Sequence, residues 1–160
     1  MTAASEHFTA SLAHLFIYHR PDLIEKAGTP FRELLIYHAM EEVEHKAVCF
    51  DLYQEAGGGY WKRASAMVFV TLDLLVRLRN RMHYLLEQDG LWDARHRKAV
   101  RQLLWGRDGI MRALAPFLLQ YFRPGFHPWE TDERHDLLER FRSEMNVIDK
   151  MQEQQAADAA

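Results

Sequence analysis

Residues 38–45 read HAMEEVEH, and their spacing constrains the fold more than any other feature of this chain. Place His38 at the origin of a helical wheel of about 100° per residue. Glu42 then falls near about +40°, His45 near about −20° and Glu41 near about −60°. Leu34, Cys49 and Leu52 share that stripe, so the pattern predicts ligand-type side chains along the line by which the helix is buried. Isolated carboxylates there would cost on the order of several kcal/mol each. A bound cation offsets the cost, and mixed histidine–carboxylate ligation suits iron, manganese or zinc. Glu42-x-x-His45 is the i, i+3 unit of dinuclear helix-bundle sites. With His38 it becomes H-x-x-x-E-x-x-H, a far more specific pattern. The competing reading is a charged face of Glu41, Glu42, Glu44 and Lys46 with incidental histidines. Glu44 lies off the stripe and is expected in solvent. Glu41 has three open roles: ligand, acceptor for a histidine N–H, or solvated side chain.

The rest of the chain reads as helices separated by breakers. A first helix is expected from Ala3 or Ala4 to about Tyr18, where HRPD stops it. Thr29 caps a second helix with Pro30 at its first position, continuing through about Tyr53 to the GGG at 57–59. A third spans about 60–88, a fourth 93–105 and a fifth 109–120. YFRPGFHPWETD (121–132) cannot be regular helix and reads as an ordered aromatic loop. Thr131 or Asp132 then caps a last helix through about Met151. The expected architecture is all-α, about six helices, with one domain over 1–151 and a frayed tail over 152–160.

A chain of 160 residues suits one such domain. Its net charge of −3 argues against a general nucleic-acid binder. One cysteine, Cys49, excludes an internal disulfide and makes a reducing cytoplasm the expected compartment. MTAASEHFTA lacks the features of a signal peptide. The apolar run MVFVTLDLLV (67–76) contains Asp73 and precedes Arg77, Arg79 and Arg81. It is too short and too charged to span a bilayer, and a buried helix is preferred to an interfacial one. Neither a phosphate-binding G-x-x-x-x-G-K loop nor a G-x-S-x-G elbow occurs.

HAMEEVEHKAVCFDLYQEAGGGY resembles the signature of a bacterial family of predicted metal-dependent hydrolases, itself similar to ferritin-like di-metal carboxylate proteins. YFRPGFHPWETD resembles a second signature of that family, and SEHFTASLAHL the helix preceding the first. The resemblance runs from Ser5 to about Met145. The H-x-x-x-E-x-x-H unit is also similar to one in di-iron N-oxygenases of the aminobenzoate type. These likenesses imply a partial ferritin-like bundle. His38, Glu42 and His45 would be metal ligands, and Glu6 the single carboxylate from the preceding helix. From the residues alone, Glu6 has two readings. Its neighbours Ala10 and Ala13 are small enough for close helix approach, or it is an acid that stabilises the helix dipole.

One departure from the pattern matters. A four-helix dinuclear site draws on two single glutamates and two E-x-x-H units, and this chain has one E-x-x-H. Asp93-x-x-His96 and Asp132-x-x-His135 read as capping aspartates beside exposed histidines. Members of the resembled family carry a further E-x-x-H upstream, so the chain is expected to correspond to their C-terminal part. It would hold one ion in an open site, share a dinuclear site with a partner, or serve as a scaffold. The expected function is that of a metal-dependent hydrolase of a small molecule. A divalent ion, iron first and manganese or zinc next, would activate water with Glu41 as base. The alternatives are a di-iron-type oxygenase and a non-catalytic metal-binding subunit. A homo-oligomer, or a partner chain supplying missing helices, is expected; nucleic acid and membrane partners are not. His7 is expected in solvent and Cys49 in packing. Phe122, Phe126 and Trp129 are expected to pin the loop to the core, with His127 lining a pocket as the alternative.

Overall fold

Proline and glycine divide the chain into helices much as their chemistry requires. The computed structural model describes residues 1–28, 31–130 and 139. Helix α1 (Thr2–His14) runs into one π-helical turn, Leu15–His19. Pro21 then opens a short helix α2 (Pro21–Glu25), where its fixed φ and missing N–H cost nothing. There follow α3 (Phe31–His45), α4 (Val48–Glu55), α5 (Tyr60–Gln88), α6 (Ala94–Trp105) and α7 (Ile110–Gln120). A 3-10 turn at Pro128–Glu130 ends the described loop. The chain is all-α, with no strand among the described residues. The Thr29–Pro30 cap, the cap at 131–132, the last helix, the Asp132-x-x-His135 unit and the tail lie outside the described residues.

Several starts and stops follow directly from local chemistry. Asp93 caps α6, accepting the His96 amide at 2.9 Å, as a capping aspartate should. Gly57, at φ 74°, takes the left-handed conformation that ends α4. The Tyr53 hydroxyl then donates to Gly59 O at 2.7 Å, closing the turn into α5.

Two expectations are corrected. The second predicted helix is two helices, broken at Lys46 and Ala47. The cause is a side-chain competitor: Glu6 of α1 accepts the Cys49 N–H at 3.0 Å, a donor that a continuous helix would direct to His45 O. The MVFVTLDLLV run is also two-faced rather than buried. Met67 and Val70 enter the core, while Val68, Phe69, Leu72 and Val76 are exposed.

Helix α1 packs against α3, α4, α5 and α7, which makes it the centre of the molecule. The main core joins Phe8, Leu15, Phe50, Met67, Leu114, Tyr121 and Phe126. A smaller cluster of Ala13, Ile17, Ile24, Ala39 and Val43 fastens α3 to α1 and α2. The loop aromatics pin the crossover as expected. Buried Arg63 donates to Arg123 O at 2.8 Å and Phe126 O at 3.3 Å, beneath the Phe50, Tyr60, Tyr121 and Phe126 rings. Among the described residues no helix is long and apolar enough to cross a membrane.

Candidate metal site

The break between α3 and α4 is also where the candidate ligands gather. Helix α1 presents Glu6 and, one turn later, Thr9 to this region. The Thr9 hydroxyl donates to Glu42 Oε2, with Ser5 O and Glu6 O as further acceptors at 3.1 and 3.2 Å. The second Glu42 oxygen, Oε1, lies 3.5 Å from His38 Nε2. Glu6 Oε2 holds the Cys49 amide. Glu41 accepts a 2.9 Å hydrogen bond from the Tyr37 hydroxyl one turn earlier. That bond, with the charge of Glu41, raises the Tyr37 phenol above its usual range.

The faces of α3 differ from expectation. Ala39, Met40 and Val43 are buried, centred about 150° from the His38–His45 stripe on the wheel. Leu34 and Leu52 are 62% and 64% exposed, and the His38 side chain is 63% exposed against 22% for Glu42. His45, the last residue of α3, is exposed. The helix carries two apolar lines, and the line of smaller residues lets α1, with Ala10 and Ala13, approach closely. The expected burial of the ligand stripe is therefore reversed.

The donor set has the right chemistry for a divalent ion, but one chain does not converge it. His38 and Glu42 are brought together. Glu6 is directed at the α4 amide, and His45 stands in solvent. No three His, Cys, Asp or Glu side chains among the described residues are close enough to hold an ion. Cys49 adds no thiolate: its contact with Glu6, together with burial and the carboxylate charge, pushes the thiol pKa up.

The neighbouring residue His7 departs from its sequence reading. It is buried, its Nε2–H donates to Phe117 O at 3.1 Å, and its ring meets Tyr121 and Phe126 at 4.9 and 5.0 Å. Burial lowers its pKa to about 4. A signal existed in the sequence: Ala3, Ala10 and Ser11 lie three or four residues away, on the face that α1 buries. With Ser11, His14 and Lys46 it lines a small pocket of 40 Å³. His14 packs on Tyr18, His19 and Phe117. In the loop, His127 Nε2 meets Asp51 Oδ1 at 2.7 Å, joining the crossover to α4.

No curated protein and no solved structure matches the chain. The family model described as predicted metal-dependent hydrolase matches residues 1–132. That span holds Glu6, the H-x-x-x-E-x-x-H run and the loop that Arg63 anchors, and the chain belongs to this family.

Proposed function

We propose that this chain is a metal-dependent hydrolase acting on a small molecule, with Glu6, His38, Glu42 and His45 as ligands of a divalent ion. Iron is the first candidate, with manganese or zinc next. Family membership supports the reaction class. The observation that carries the ligand assignment is the pairing of His38 with Glu42, which Thr9 of α1 holds one turn from Glu6. When bound, such an ion acidifies a water molecule and polarises a scissile group. Thr9 and the Cys49 amide orient the two carboxylates. Glu41, steadied by Tyr37, is assigned the role of base. A ferritin-like origin for the α1–α3 pair accords with this reading, and the single free thiol accords with a reducing cytoplasm.

Elemental analysis of the purified, untagged protein tests the assignment, with the His38→Ala/His45→Ala double variant as control. Both histidines are exposed, so circular dichroism should show an intact fold in the variant. Near-stoichiometric iron, manganese or zinc in the parent, lost from the variant, is the expected result. Absence of metal from the parent even after reconstitution would sink the assignment.

A further inference from the structure

Between the start of α1 and the start of α5 lies a pocket of 570 Å³, within the size range of small-molecule sites. Ala3, Ala66 and Phe69 give it apolar wall, while Lys62, Arg63 and Tyr121 bring polar groups. Among the described residues no aspartate or glutamate lines it. Both cations stand near the N-terminus of α5, where the helix dipole adds to the positive potential.

Two of the polar groups lack the partners that burial demands. Arg63 is 6% exposed and donates to Arg123 O and Phe126 O, yet no carboxylate among the described residues pairs with it. The surrounding rings offset part of its charge, and its guanidinium has N–H groups to spare. Tyr121 is 1% exposed, and its hydroxyl has no hydrogen-bond partner among the described residues. Burial raises that phenol to about 12, so it stays a donor at neutral pH. Lys62 adds an exposed ammonium without an ion pair among the described residues. We propose that this pocket binds an organic monocarboxylate with an apolar body. Arg63, Lys62 and the Tyr121 O–H take the carboxylate, and its hydrocarbon lies along Ala3, Ala66 and Phe69. A carboxylate accepts charge-assisted bonds from all three donors, and a hydrocarbon tail matches the walls as an inorganic anion would not. The smaller pocket on the loop side of Arg63, 190 Å³, is below the size of such sites. Ala3 stands one turn before Glu6, and the Glu6 charge contributes to the raised Tyr121 pKa, so the pocket adjoins the candidate metal site without depending on it.

Calorimetric titration of the full, untagged chain with octanoate and with 1-octanol, at neutral pH in EDTA, tests the proposal. EDTA keeps any ion from holding the carboxylate, so the result stands apart from the metal assignment. One octanoate per chain is expected, with 1-octanol weaker by at least about tenfold, the worth of a charge-assisted contact. Lys62→Glu reverses an exposed charge, and Tyr121→Phe removes one oxygen while keeping the ring in the core. Each variant should retain the helical spectrum and bind octanoate about fivefold more weakly, or worse. No octanoate binding by the parent, equal affinity for 1-octanol, or unchanged octanoate affinity in either variant would overturn the inference.

Discussion

His7 and Arg63 are buried ionisable side chains at the α1–loop junction. His7 stays neutral because burial opposes its charge, so its pKa falls from 6.5 to about 4. In the unfolded chain the ring protonates near pH 6.5, whereas the folded chain resists until about pH 4. Stability from this residue is therefore complete above pH 6.5 and is lost as pH falls from 6.5 to about 4. The shift corresponds to an order of about 3 kcal/mol. His7→Gln, which retains an amide donor for Phe117 O, should show a flatter dependence of denaturation midpoint on pH across that window. Parallel curves for the two proteins would contradict this. Arg63→Met keeps the stem but leaves Arg123 O and Phe126 O without their donors. It should cost about 3 kcal/mol in urea unfolding. Arg63 was not identifiable from sequence, because an arginine after GGGYWK resembles a solvated position, whereas His7 was legible only through the small residues Ala3, Ala10 and Ser11 that share its face.

Between elements, the Glu6–Cys49 contact governs the α3–α4 break. Glu6→Ala should destabilise the metal-free protein by about 1–2 kcal/mol, read from its denaturation midpoint, and Glu6→Gln by less, since an amide oxygen still accepts the N–H. Equal losses would mean that charge rather than the acceptor matters. The limits of α5, α6 and α7 were readable in the sequence because Gly59, Asp93 and Gly109 stand at their N-caps. The break was not readable, since its cause lies 43 residues away in sequence. Likewise α2 was hidden: Pro21 signals both the end of one helix and the start of another. The H-x-x-x-E-x-x-H pattern correctly anticipated the closeness of His38 and Glu42. It misjudged which side of α3 turns inward, because both lines are apolar and periodicity alone cannot rank them.

Across the whole molecule, apolar burial is uneven. Met67 and Leu114 are fully buried in the main core, while no residue of α6 is buried. Met67→Ala should cost about 2–5 kcal/mol, whereas Leu72→Ala, on the exposed face of the same helix, should stay within about 0.5 kcal/mol. Native-state hydrogen exchange should find α6 opening first and the Ala64–Val70 stretch of α5 last; uniform protection would contradict the layered core. Each candidate ligand carboxylate also has one oxygen tied to α1 or α4: Glu42 through Thr9, and Glu6 through the Cys49 amide. Freezing a free glutamate side chain costs roughly 1.5–2 kcal/mol of rotamer entropy. Here folding has already frozen both, so an ion bound at this face would meet side chains with little disorder left to lose, and its affinity would depend on the docking of α4, which offers no ligand of its own.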